Sequence, residues 1–305
     1  MTRRILERFL VSLGVVFGAL TLVFLILNWL PGDPATLVAG EEASAETIAR
    51  VRTQLGTDRP IGQQYREYLE GLVRGDLGHS YATREPVARR LAAQFPSTLA
   101  LTLCAGIVAI ALGVGLGVVS ALNQGRWLDP LIQSVALFFH SMPTFWLGIL
   151  MILLFSVTLG WLPVIGGGSV LSSVLPVATL GLWCCVPLLR MVRDGMLEGL
   201  SEPYVTTLRA KGLRERRVFY VHVLRNALIP AVTLLGVLVG ELLSNAVIVE
   251  TLFARQGIGR ITVEALGQKD MPMVQGAILL ASLAYVIINL LVDLSYALID
   301  PRVRA

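Results

Sequence analysis

Glu241 is the only Asp, Glu, Lys or Arg between Asn226 and Val249. A carboxyl about ten residues into an apolar helix that rises about 1.5 Å per residue reaches mid-bilayer, where an ionisable group is costly and functional by default. It can line a pathway for a polar solute, persist as a protonated structural carboxyl, or partner polar groups on neighbouring spans. His140 stands in a second apolar run, three residues before Pro143, and reads as polar glue between helices rather than as a proton relay or metal ligand. Glu241, His140 and Asn245 are the candidate pathway residues. Other chemistries find no support. His140 and Ser141 are neighbours rather than parts of a triad, and neither a G-x-S-x-G element nor a metal-binding cluster occurs. Cys104, Cys184 and Cys185 lie in uncharged apolar runs without a CxxC spacing, as buried apolar side chains do. The chain has no G-x-x-x-x-G-K-[ST] phosphate loop and no Gly-Lys dipeptide. No catalytic residue, cofactor or metal is expected, and any ATP-driven motor must be another polypeptide.

The elements that carry these residues are membrane spans. Of 305 residues, 55% are hydrophobic and 15% charged, well below the roughly 25% charged of soluble domains. Mean hydropathy is +0.71. The net charge of +4 and pI near 9.2 reflect cytoplasmic loops rather than nucleic acid. Phe9 to Leu30 is an uncharged run of 22 residues behind Arg3, Arg4 and Arg8. It exceeds the apolar core of a signal peptide, about 7–15 residues, so we expect an uncleaved helix. Thr98 to Leu122 is the second span, with Gly113 and Gly117 as a small-xxx-small pair for close helix approach. Pro130 to Leu189 carries no Asp, Glu, Lys or Arg for 60 residues, enough for two crossings. Its Pro- and Gly-rich break at 160–168 divides it into spans near 133–158, kinked at Pro143, and 173–192. Spans five and six run near 231–250 and 273–293, the last ending at Asp293, expected to pair with basic loop residues.

Six spans place both termini on one side. The short segments on that side hold 14 basic residues against 3 opposite, which makes it cytoplasmic. Residues 31–97 then form an extracytoplasmic helical region. Ser44 caps one helix with Ile48, Val51 and Leu55 on a face, and Pro60 opens another with Ile61, Tyr65, Leu69 and Leu72. Pro86, Val87, Leu91 and Phe95 suggest a third short helix. The domain reading is 1–30 for the first span, 31–97 for the outer region and 98–305 for a core with a loop at 193–228.

That loop is long, basic and patterned. Ser201-Glu-Pro-Tyr204 reads as a helix start with a capping hydroxyl and a first-turn proline. Gly212 interrupts the helix. A second follows with Val218, Val221, Leu224 and Leu228 on one face, until Pro230 turns the chain into span five. Arg209, Lys211, Arg214, Arg216 and Arg217 flank the glycine. Anionic lipid alone attracts such charges, yet the helix–glycine–helix order suits docking onto a soluble protein.

Here Tyr204-Val-Thr-Thr-Leu-Arg-Ala-Lys-Gly-Leu213 and His222-Val-Leu-Arg-Asn-Ala-Leu-Ile-Pro230 closely resemble the signature of permeases of the dipeptide, oligopeptide and nickel family of ABC importers. Leu30-Pro-Gly-Asp-Pro34, Gly75-Asp-Leu-Gly78, Ser141-Met-Pro143, Val249-Glu-Thr-Leu-Phe253 and Asp300-Pro-Arg302 follow the family pattern in order. Thr206, Thr207 and Leu208 stand where the Glu-Ala-Ala element names its residues, and Gln256 stands where proline is frequent. The resemblance implies an all-α type I permease whose coupling helix comprises Tyr204, Val205, Thr207, Leu208, Arg209, Ala210, Lys211, Gly212 and Leu213. It also implies a second homologous permease subunit, cytoplasmic ATP-binding subunits and an extracytoplasmic solute-binding protein, in contact with membrane lipid. A secondary active transporter is the alternative, since such folds also carry broken helices and mid-membrane ion sites.

Overall fold

Long uncharged runs in lipid fold as helices because only a helix satisfies its backbone N–H and C=O groups within the segment. The computed structural model describes residues 2–29, 32–40, 42–164 and 169–299, and they are helical apart from connections. Among them, extended backbone pairs only at the isolated bridge between His79 and Pro86. The helices are α1 (Thr2–Trp29), α2 (Pro34–Ala39), α3 (Ala45–Leu55), α4 (Ile61–Val73), α5 (Val87–Leu122), α6 (Leu128–Ser141), α7 (Thr144–Met151), α8 (Val170–Ser201), α9 (Pro203–Ala210), α10 (Glu215–Arg217), α11 (Leu224–Leu252), α12 (Ile258–Gly267) and α13 (Met271–Ile299). Wider π-helical turns continue α7 over Ile152–Thr158 and precede α11 over Val218–Val223. Leu30, Pro31, Gly168 and the Asp300-Pro-Arg302 element lie outside the described residues, as does the side chain of Asp293 with its expected pairing.

Five helices are long and apolar enough to cross a membrane, and α6 with α7 and its π extension makes a sixth if the bent pair is one span. The six expected spans are thus accounted for, with three differences. Proline punctuates less than expected. The third short helix of the outer region is the first turns of α5, which runs unbroken through Pro96 and, at about 1.5 Å per residue, is about 54 Å long. Pro230 likewise lies inside α11 rather than turning the chain into it. Pro143 does more than kink. It follows an extended Met142, and the two halves diverge by 105°. Finally, α8 runs to Ser201, so the loop expected at 193–228 begins as a continuation of its span.

The described residues group into two compact units. The first joins the chain up to Thr98 with Gln256–Val286. Its core includes Leu27, Val87, Leu91, Ile258, Ile261 and Met273. Ser44 caps α3 as expected, accepting the Thr47 N–H at 3.2 Å, and Asp33 caps α2 through the Ala35 N–H at 2.9 Å. Asp270, 1% exposed, precedes α13 and accepts bonds from the Ser80 hydroxyl and the Tyr81 N–H, fixing the tight turn after the Gly75-Asp-Leu-Gly78 element.

The second unit, Leu99–Arg255 with the end of α13 from Ile287, holds two apolar clusters. One gathers Leu101, Leu175, Leu180, Leu189, Leu242 and Phe253. The other gathers Val118, Leu188, Val192, Met196, Val205 and Val218. The small-xxx-small pair works between α5 and α8. A Cβ on Gly113 would meet the Cys185 carbonyl oxygen at 2.9 Å, and one on Gly117 the Leu189 carbonyl oxygen at 2.7 Å. Gly115, between them, faces open space.

Candidate functional site

Helix α9 is built to sit on a core and show its other side. Pro203 occupies its first turn, where a missing N–H costs nothing. Val205 is fully buried in the second apolar cluster, and Tyr204, Leu208 and Leu213 pack partly against it. Thr206, Thr207, Arg209, Ala210, Lys211 and Gly212 are exposed. The Tyr204 hydroxyl accepts the Asn226 amide at 3.4 Å, tying α9 to the start of α11.

The glycine ends α9 in the expected manner. Gly212 has φ +77°, a left-handed conformation natural to glycine. Its N–H bonds to the Arg209 carbonyl at 2.9 Å, and the Leu213 N–H reaches back to the Leu208 carbonyl at 3.3 Å. These paired bonds are the Schellman arrangement, and Leu208 and Leu213 add its apolar contact on one cluster.

Two expectations for this loop are corrected, and one ion pair is added. Ser201 does not cap α9. It is the last residue of α8, and its hydroxyl bonds back to the Glu198 carbonyl at 2.7 Å, leaving Glu202 as a cap without a side-chain bond. Val221 does not share the buried face of Val218 but is 50% exposed. The π winding moves the interior positions to Val218 and Val223, five apart, and then to Ala227. Arg209 is not a free charge. Its guanidinium donates to both Glu215 oxygens, at 2.8 and 3.2 Å, across the Gly212 turn. Lys211 remains an exposed cation beside it.

Asn245 and the Glu241 backbone are tied to the break at Pro143, while His140 is tied to α8. The Thr144 hydroxyl donates to Asn245 Oδ1 at 2.7 Å, and Asn245 Nδ2 donates to the Glu241 backbone carbonyl at 2.9 Å. The Met142 carbonyl accepts the Trp183 indole N–H at 3.2 Å. His140 donates from Nδ1 to the Trp183 carbonyl at 3.3 Å, with the two rings 5.0 Å apart. These bonds join α6, α7, α8 and α11 and supply partners where the break interrupts the helical ladder. Glu241 differs from them. Its Oε2 is buried and has no hydrogen-bond partner.

One cluster escaped the sequence reading, which treated Arg193 only as a topological charge. Arg193 donates from Nε and Nη2 to the two Asp129 oxygens, each at 2.8 Å, while the Ser120 hydroxyl donates to Oδ1 at 2.5 Å. The ends of α5, α6 and α8 are locked together beside the cluster that seats α9. Arg193 and Asp129 lie 64 positions apart, beyond any local pattern. Asp270, by contrast, had a local signal, an Asp ahead of a helix with Pro272 in its first turn.

Residues 113–305 match the family described as binding-protein-dependent transport system inner membrane component, and residues 1–102 match the N-terminal region of such membrane components. The chain is 42% identical over 304 residues to the glutathione transport system permease protein GsiC of Escherichia coli strain CFT073, and equally to that of strain K12, covering 100% of this chain and 99% of each relative. An inward-facing structure of the MetNI methionine ABC transporter superposes with a TM-score of 0.57 at 20% identity, over 69% of this chain and 96% of that one. An amino acid ABC transporter crystallised with histidines gives 0.51 at 14% identity, over 70% and 94%. Both likenesses concern the fold. The chain belongs to the binding-protein-dependent transport system inner membrane component family, as a multi-pass, non-catalytic permease subunit of an ATP-driven importer.

Proposed function

We propose that this chain forms one half of an import pathway for short peptides and peptide-like solutes, and that α9 with its Gly212 turn is the element on which a cytoplasmic ATPase subunit docks. The observation that carries the docking role is the division of α9, with Val205 fully buried in the permease core and Thr206, Thr207, Ala210 and Lys211 turned outward. A short helix anchored on one face and bare on the other transmits a push from a partner into α8 and α11. In this reading, ATP binding closes two ATPase subunits, and each closure drags a coupling helix and tilts the spans. A second homologous permease supplies the other half, and a binding protein delivers solute on the opposite side. The short-loop excess of 14 basic residues over 3 supports cytoplasmic termini and a cytoplasmic α9. Whole-length similarity to a glutathione permease supports a peptide-like solute. Glu241, with Asn245 bonded to its backbone carbonyl, lines the pathway, and His140 does so from α6.

The test is uptake by proteoliposomes holding the complete importer, with labelled glutathione and dialanine as separate probes. Accumulation is expected only with ATP on the side bearing α9 and binding protein on the other. Accumulation driven by an ion gradient without ATP, or transport of neither probe, contradicts the reading.

A further inference from the structure

In the first unit, a cavity of about 470 Å³ opens between α1, the helices α2 to α4, the turn at 76–81 and the start of α13. Its size is that of a small-molecule site. The walls mix aromatic and polar groups. Phe24 stacks on Tyr68 with ring centres 5.7 Å apart and planes 19° from parallel. The Tyr68 hydroxyl is buried without a hydrogen-bond partner. Gln275 also lines the cavity, at 9% exposure. A buried polar group without a partner costs about 1–3 kcal/mol, so the Tyr68 hydroxyl at this cavity points to an occupant that satisfies it.

Three carboxylates line the cavity, Asp33, Glu67 and Asp76, together with the cation Arg52, and Lys269 stands beside Gly32 and Asp33. Asp33 is held by Arg52 and by the Ala35 N–H, and Glu67 accepts from Arg59 at 2.6 and 2.7 Å. Asp76 uses one oxygen to accept the Gly78 N–H at 2.8 Å and has no ion-pair partner among the described residues. It is an exposed, uncompensated carboxylate at the rim.

We propose that this cavity binds a small solute with a free ammonium group beside an amide, of the amino-acid or short-peptide class. Asp76 receives the ammonium, while Tyr68 and Gln275 hydrogen-bond to the carbonyl or carboxylate oxygens. Burial, with Tyr65 nearby, pushes the Tyr68 phenol up to about 12, which keeps it a donor at neutral pH. The site deepens the import reading and rests on it, because in that topology the cavity faces the side from which solute arrives.

The experiment uses the complete importer in nanodiscs without its binding protein, with labelled dialanine and N-acetyl-dialanine as probes. Dialanine is expected to bind saturably, and N-acetylation to weaken it about tenfold or more, the scale of a lost hydrogen bond to a charged group. Asp76→Asn keeps the bond to Gly78 and is expected to remove the preference for dialanine. Gln275→Leu and the conservative Tyr68→Phe are expected to weaken both probes, with ATPase co-purification unchanged. Absence of saturable binding overturns the proposal. So does equal binding of the two probes, or binding indifferent to Asp76→Asn and Gln275→Leu. Uptake with the binding protein present is measured alongside. Import without direct binding sinks this inference and leaves the import reading standing, whereas loss of wild-type import sinks both.

Discussion

Glu241 and Gly212 were both legible in the sequence, for different reasons. An isolated carboxyl in an apolar span announces itself, and the buried, unpartnered Oε2 agrees with a group awaiting something outside this chain. Glu241→Gln keeps the shape and removes the charge. We expect uptake to fall several-fold while assembly with the ATPase persists, and unchanged uptake would return Glu241 to a structural role. Gly212 was legible because a glycine between two helical patterns marks a left-handed turn, and φ is +77°. A Cβ there meets nothing within 4 Å, so the penalty of substitution is conformational. For an L-residue it is about 1–2 kcal/mol, and Asn bears it more easily than a β-branched residue. Gly212→Val is therefore expected to abolish or strongly reduce uptake and weaken ATPase retention, with Gly212→Asn near wild type. Equal activity of the two variants contradicts a shape requirement at this turn. The pairing of Arg209 with Glu215 was not legible, because the two come within reach only after the turn has folded.

At the scale of elements, run lengths and the absence of charge gave the spans, while proline and winding misled. In water, a proline after a polar stretch usually ends a helix. In an apolar surround the freed backbone groups have no water to turn to, so continuing the helix is the better solution. Pro176 and Pro187 lie inside a span in this way, and Pro96 and Pro230 lie inside helices that run on into spans. The π turns were invisible for another reason, since a five-residue step leaves no clear mark in a sequence rich in apolar residues at every position. The glycine pair in α5 did carry a readable signal. Gly117→Ala pushes a Cβ against the Leu189 carbonyl, a backbone atom that cannot move aside. We expect a loss of about 1–3 kcal/mol, the usual overpacking range, seen as a lower Tm of the purified importer. Gly115→Ala, facing open space, serves as the control and is expected to leave Tm unchanged or slightly raised. A matching loss at both positions contradicts close packing of α5 on α8.

For the whole molecule, the account joins a membrane-embedded pathway to a motor on another chain through a helix of eight residues. Much of this was readable because the motifs come in order along the full length, and the relatives align over that same length. What was not readable is the long-range locking of Asp129 to Arg193 and of Asp270 to the turn at Ser80, which depends on spans meeting in three dimensions. The central claim is that α9 touches the ATPase from the cytoplasmic side. It is tested most directly by placing a single cysteine at Ala210, with Cys104, Cys184 and Cys185 replaced, and treating membranes with a short thiol-to-amine cross-linker. Val73, 90% exposed in the outer region, serves as the comparison position. We expect a covalent adduct with the ATPase subunit from Ala210→Cys and none from Val73→Cys. No adduct from Ala210→Cys, or an adduct from Val73→Cys, contradicts the account.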